Sequence, residues 1–303
     1  MKTGLFALLA SLPLTTPAPA PEPTPIVGGM TVAPGSWPEV AAIVLPLTTC
    51  TGTLVSERVV LTAAHCVEDL VSPAQVIVRF GDDIFGPHTD YVVERYGMHP
   101  MYCGSDTSKC RVDVWDFAYL LLAEPVVGVT PARPLVTQEA WDEAMVVDGT
   151  VTLVGYGESE KPLGGIKRQV DAPIVKFSAS GLEFQAGGDG LDTCRGDSGG
   201  PAFVKLAAGE LLFAGVTSRG FSDCGQGGFY GVPYRTLCWL NSETGVDLRG
   251  AEACETCDCI AIGGDEQGCG CVSGEPGPHG PFGPLLLGVV VMFGLRGRRR
   301  RRS

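Results

Sequence analysis

The chain has 303 residues, 45% of them hydrophobic and 18% charged, with 34 acidic against 22 basic side chains and a formal net charge of −12. That length accommodates one sizeable enzyme domain with processing segments at its ends, and the acidic balance argues against a nucleic-acid partner. The 42 glycines and 23 prolines favour many short strands over long helices, and the 12 cysteines point to an oxidising compartment, because disulfides do not persist in a reducing cytosol.

In chain order, Lys2 precedes an apolar stretch from Gly4 to Leu14 that is too short to span a bilayer, and the small-residue run Thr15 to Ala20 follows. Residues 1–20 therefore read as a secretory signal peptide and 21–25 as a short propeptide. Ile26 opens a different regime. Val40–Leu45, Val59–Thr62, Val76–Phe80, Phe117–Leu122, Thr150–Val154 and Leu211–Val216 are apolar runs of strand length between Gly, Pro, Asp and Ser turns. They predict an all-β domain, a sandwich or a barrel, over residues 26–245. Leu237–Asn241 reads as a short closing helix. Residues 246–283 form a Cys-rich stalk, with Cys254, Cys257, Cys259, Cys269 and Cys271, that runs into a Gly/Pro linker. Residues 284–303 combine a short apolar stretch with six arginines, which implies a separate task for the tail.

The strongest chemical signal is Gly196-Asp197-Ser198-Gly199-Gly200-Pro201. A serine hydroxyl becomes a nucleophile when it has a neighbouring base and donors for the oxyanion. Glycines beside it let backbone N–H groups approach the reacting carbonyl. A base is offered by His65 in Leu61-Thr62-Ala63-Ala64-His65-Cys66, where Cys66 can tie the segment to Cys50 across an intervening strand. The other histidines, His88, His99 and His279, sit in loop or linker contexts and read as solvated. Asp116 heads the apolar run Phe117 to Leu122, where a carboxylate is costly unless hydrogen-bonded. It fits the group that fixes the imidazole tautomer. Asp113 lacks such a run and reads as a surface residue. Cys103 and Cys110 look like a local loop staple.

Together these residues resemble the trypsin/chymotrypsin serine peptidases. The likeness covers Ile26 to about Asn241. It rests on Ile26-Val27-Gly28-Gly29, Thr62 to Cys66, Asp116 to Leu120, Gly155-Tyr156-Gly157 and Asp192 to Pro201, with His, Asp and Ser in that family's order. The resemblance implies two six-stranded antiparallel β-barrels with the active site between them, a triad of His65, Asp116 and Ser198, and an oxyanion hole at the N–H groups of Gly196 and Ser198. It implies activation by an Ile26 amine that pairs with Asp197, and a hydrogen bond from Ser218 to the catalytic carboxylate. It also implies a specificity pocket with Asp192 at its base, Gly220 and Gly228 in its wall and Cys194–Cys224 beside it. Protein or peptide substrates cut after Arg or Lys, no cofactor and no metal are expected.

Four departures qualify the likeness. Pro25 precedes Ile26, so self-activation after a basic residue is not expected and the activating protease is unknown. Arg219 replaces the usual Trp, and Arg195 stands at the pocket mouth. These two cations either weaken the preference of Asp192 for basic substrates or recruit acidic flanking residues. The family disulfide near Phe184 is absent, and Cys238 is expected to reach into the Cys-rich stalk. The tail, from Gly268-Cys269-Gly270-Cys271 to the arginines, resembles myxobacterial surface-sorting signals, which implies export and attachment at the cell surface. Two rival readings are a protease-like binding module without activity and an endopeptidase with a non-basic preference.

Overall fold

In a computed structural model of the chain, the described residues are 26–110, 113–157, 164–250 and 260. The segments read as signal peptide, propeptide and sorting tail lie outside them, as does most of the segment read as a stalk.

Strand β1 is the two-residue Met30–Thr31. Six strands follow: β2 (Val40–Val44), β3 (Thr49–Leu54), β4 (Val59–Thr62), β5 (Ile77–Gly81), β6 (His88–Met98) and β7 (Ala118–Leu122). They close an antiparallel barrel in the order β2-β3-β4-β7-β6-β5, with β5 returning to β2. Ile43, Leu54, Val60, Val78, Leu120 and Leu122 pack inside it, each essentially inaccessible to water. Each such side chain contributes about 1.5–3 kcal/mol of transfer free energy.

A short helix α1 (Gln138–Ala144) leads into the second barrel, its first turn capped by the Thr137 hydroxyl on the Ala140 N–H. The strands are β8 (Thr150–Gly155), β9 (Arg168–Phe177), β10 (Glu183–Ala186), β11 (Pro201–Lys205), β12 (Leu211–Gly220) and β13 (Gly228–Gly231). They run β9-β10-β13-β12-β11-β8, and β8 pairs again with β9, so this sheet also closes; β1 adds to β9. Among the described residues closure leaves no long unpaired edge. Helix α2 (Leu237–Thr244) ends at Gly245, whose φ of 74° permits the left-handed cap. It extends the expected closing helix by three residues.

The architecture is thus the expected pair of six-stranded barrels. Beyond the boundary drawn at residue 245, Ile260 is 2% exposed and belongs to the same core cluster as Leu237 and Leu240. Among the described residues, disulfides join Cys50–Cys66, Cys103–Cys110 and Cys194–Cys224. Cys238 is disulfide-bonded as well. Among the described residues no helix is long and apolar enough to cross a membrane.

Candidate active site

Strand pairing delivers the first two site residues. Thr62 at the end of β4 lies opposite Ala118 at the start of β7. Three residues past β4 and two before β7 therefore fall at the same end of the barrel, which brings His65 to Asp116. The His65 backbone N–H donates to Asp116 Oδ1 at 2.9 Å, and the ring Nδ1 lies 2.7 Å from Oδ2. The Ser218 hydroxyl, from β12, donates to the same Oδ2 at 2.7 Å. Asp116 is buried, and burial alone would raise its carboxyl. The donors from His65 and Ser218 and the attraction of His65 outweigh that and hold it below the usual carboxylate range. His65 shows the reverse balance. Burial pulls it down, yet the bond to Asp116 and the charges of Asp116 and Glu68 leave it raised.

Ser198 sits in the turn before β11. It lines one cavity of about 510 Å³ with His65, Arg195 and Gly196. The Cys66 sulfur lies 3.8 Å from His65 Nε2 and 3.7 Å from the Ser198 carbonyl oxygen, so the Cys50–Cys66 disulfide packs against both. Cys50, Cys66 and His65 have ligand atoms within 4.8 Å of one another. Both sulfurs are tied up in the disulfide, so they offer no thiolates to a metal. The turn is held from the first barrel: Thr51 donates its N–H to the Ser198 carbonyl at 2.8 Å and its hydroxyl to the Gly196 carbonyl at 2.9 Å. Gly196 and Gly199 have φ of 94° and 81°, and a Cβ on Gly199 would collide with the Thr62 hydroxyl and the Thr51 carbonyl. Among the described residues the Gly196 and Ser198 N–H groups donate to no protein acceptor.

Asp197 is fully buried behind this turn. Its oxygens accept from Gly157 N–H at 2.7 Å and Cys194 N–H at 2.9 Å. Burial pushes its carboxyl up to about 7 in spite of those donors. Ile26 is also buried, with φ 36°, a left-handed backbone that a β-branched residue disfavours.

Asp192 forms part of a second cavity of about 140 Å³ that Ser198, Arg219 and Gly220 also line. It is 1% exposed and accepts N–H bonds from Thr193 at 2.7 Å and from Gly225 and Gly227 at 3.0 Å each. Burial outweighs those donors and raises its carboxyl. A Cβ on Gly228 would stand 3.4 Å from Asp192 Oδ1, which places this glycine against the carboxylate.

One reading of a single residue is corrected. His99 is not a solvated loop histidine: it is 7% exposed and stacked on Trp115 at 4.5 Å, and burial pushes it down to about 4. Arg219 lies beside Asp192, as expected, but is paired. Both its terminal nitrogens engage Glu183, at 2.5 and 2.9 Å, and its guanidinium lies 4.5 Å above the Phe229 ring. Arg195 remains exposed at the mouth. Asp113 accepts from Ser180 rather than from His65. Glu183 and Thr51 were missed because their partners lie 36 and 145 residues away, with no local pattern to mark them.

Two closed barrels that set His65 against Asp116 and beside Ser198 define a two-barrel fold with a histidine, a carboxylate and a serine gathered at its cavities. Residues 26–237 match the Trypsin family, and the chain belongs to it. Among its relatives are Melanization protease 1 of Drosophila melanogaster, 30% identical over 63% of this chain and 56% of that protein, and Serine proteinase stubble of the same organism, 26% identical over 71% of this chain and 30% of that protein. Clotting factor G beta subunit of Tachypleus tridentatus is 28% identical over 73% of this chain and 79% of that protein. The chain thus spans about a third to just over half of the two Drosophila proteins.

Proposed function

We propose that this protein is a serine endopeptidase that cuts peptide bonds after Arg or Lys through an acyl-enzyme. The observation that carries the reading is the buried Asp116 carboxylate, which takes two hydrogen bonds from His65 and one from Ser218, while His65 lines one cavity with Ser198. With Nδ1–H on Asp116, the His65 Nε2 is left with its lone pair and accepts the Ser198 proton as Oγ attacks the scissile carbonyl carbon. The N–H groups of Gly196 and Ser198 bind the oxyanion. His65 returns the proton to the leaving amine as the C–N bond breaks. Water then takes the serine's place and hydrolyses the ester.

The buried Asp192 supports the basic preference, since an unpaired carboxylate there favours a cation and disfavours apolar side chains. The pairing of Arg219 with Glu183 removes one of the two cations that would oppose it. Activation at Ile26 fits its strained φ, a constraint that disappears once the preceding bond is cut, and the buried Asp197 is a ready partner for the new amine. The N-terminal and C-terminal segments support export and attachment at the cell surface.

The test is hydrolysis of an Arg-containing chromogenic peptide by the full chain processed to a free Ile26 amine, beside Ser198→Ala. Loss of roughly five or six decades in the variant is expected. An inactive but folded wild type with a free Ile26 would point instead to a binding module.

A further inference from the structure

Arg219 departs from the family pattern, and its surroundings tie it to the proposed triad. From β12 the side chain reaches across β13, over the Phe229 ring, to both oxygens of Glu183 on β10. One of its nitrogens, Nη1, also lies 3.4 Å from the Ser218 hydroxyl oxygen. That hydroxyl gives its one proton to Asp116 Oδ2 at 2.7 Å, so the guanidinium N–H meets the oxygen's lone pairs. Glu183, Arg219, Ser218, Asp116 and His65 therefore form one continuous polar chain. Arg219 and Ser218 line one cavity of about 190 Å³ with His65 and Asp116. The Glu183 side chain is 9% exposed, so its charge is poorly screened by water.

Resting on the reading of His65 as general base, we propose that Glu183 and Arg219 act on the active site as a charge-balanced pair of positioning residues: Glu183 cancels the charge of Arg219, so that the guanidinium beside Ser218 does not oppose protonation of His65. A bare cation one hydroxyl away from Asp116 disfavours an imidazolium on His65, and a bare Glu183 favours it. Paired, the two leave His65 under the control of Asp116 and its neighbours. Those neighbours are Glu68 and Asp69 in the turn after His65, Tyr102 with its hydroxyl on Glu68 at 2.9 Å, and Arg195 on the Ser198 side. Asp106 and Lys109 pair with each other in the disulfide loop, and Asp192 shares a cavity with Arg219. None of these changes in the variants below.

The experiment compares wild type, Glu183→Gln, Arg219→Gln and the double variant, as full chains processed to a free Ile26 amine. It reads the acid limb of kcat/KM on a chromogenic peptide and, separately, the His65 ring-proton titration by NMR. Glu183→Gln should move the His65 titration about half a pH unit down and Arg219→Gln about half a unit up. The double variant should return close to wild type, a cancellation that loss of packing does not produce. An unmoved His65 in both single variants, or a displacement that persists in the double variant, overturns the proposal. Should Glu183→Gln fail to fold, Arg219→Gln and the double variant carry the same comparison. An inactive wild type would count against the peptidase reading alone, because the NMR titration needs no turnover.

Discussion

His65 meets Asp116 at two points: its backbone N–H is 2.9 Å from Oδ1 and its ring Nδ1 is 2.7 Å from Oδ2. The first contact fixes the carboxylate against the turn after β4; the second fixes the ring. Asp116→Asn would present an amide N–H to Nδ1 and drive the ring proton to Nε2, where it blocks the base. The expected result is a fall in kcat of about four decades near neutral pH with the fold retained. Steady-state kinetics beside circular dichroism checks it, and a loss smaller than tenfold would contradict the assigned role.

Asp192 is the carboxylate in the lining of the second cavity, held by N–H groups of Thr193, Gly225 and Gly227. Replacing it by Ser leaves a substrate cation unpaired in a desolvated pocket, a situation that costs about 3–5 kcal/mol. Cleavage after Arg should then drop by a hundredfold or more, on the order of 1.4 kcal/mol per decade, while cleavage after Leu or Phe should hold or rise. A peptide panel that varies the cleaved residue decides this. Equal losses on all peptides would place Asp192 outside substrate recognition.

The uncut chain should lose stability between about pH 4 and pH 7 through Asp197. Its folded value of about 7 lies above the ordinary 3.8, so the folded state binds the proton more tightly than the unfolded one. That contribution is complete below the ordinary value and disappears as pH rises through the folded one. Thermal unfolding across this window should show the decline in the intact chain, and Asp197→Asn should flatten it. Release of the Ile26 amine should also reduce the decline, because a cation beside the carboxylate lowers its value. An identical slope in Asp197→Asn would rule the explanation out.

Lys167 is a second buried charge, 2% exposed, with its ammonium on the Trp37 carbonyl at 2.8 Å and the Ser36 carbonyl at 3.2 Å. Burial pulls it down to about 8, against the attraction of Asp82 and Glu39. The folded state therefore holds this proton less firmly than the unfolded chain, and the cost of charging it is full below about pH 8 and fades toward 10.5. The difference in stability between Lys167→Met and wild type should change across that window in the direction that favours wild type at high pH. Denaturant titrations at pH 7 and pH 10 measure it; a constant difference would show that the charge is not the governing feature.

Much of this protein was legible in its sequence because the informative residues sit in short contiguous runs. The apolar spacing predicted short strands, the Gly-rich run marked Ser198, and the buried context after Asp116 singled it out from Asp113. Each rests on neighbours within a few positions, where backbone conformation and hydrophobic burial act locally. The family likeness supplied the two barrels, the Ser218 contact with Asp116 and the expectation of a specificity role for Asp192. Long-range pairing could not be read that way. Glu183 meets Arg219 because β10, β13 and β12 are adjacent in the second barrel, and Thr51 reaches Gly196 because the two barrels pack together. His99 carries no sequence mark of its burial between Trp115 and Trp239; ring stacking from separate segments decides it. The sequence determined which chemistry is present and roughly where strands begin and end. The tertiary structure alone decided which charges are paired, because side chains far apart along the chain are neutralised by whichever partner the sheet order sets beside them.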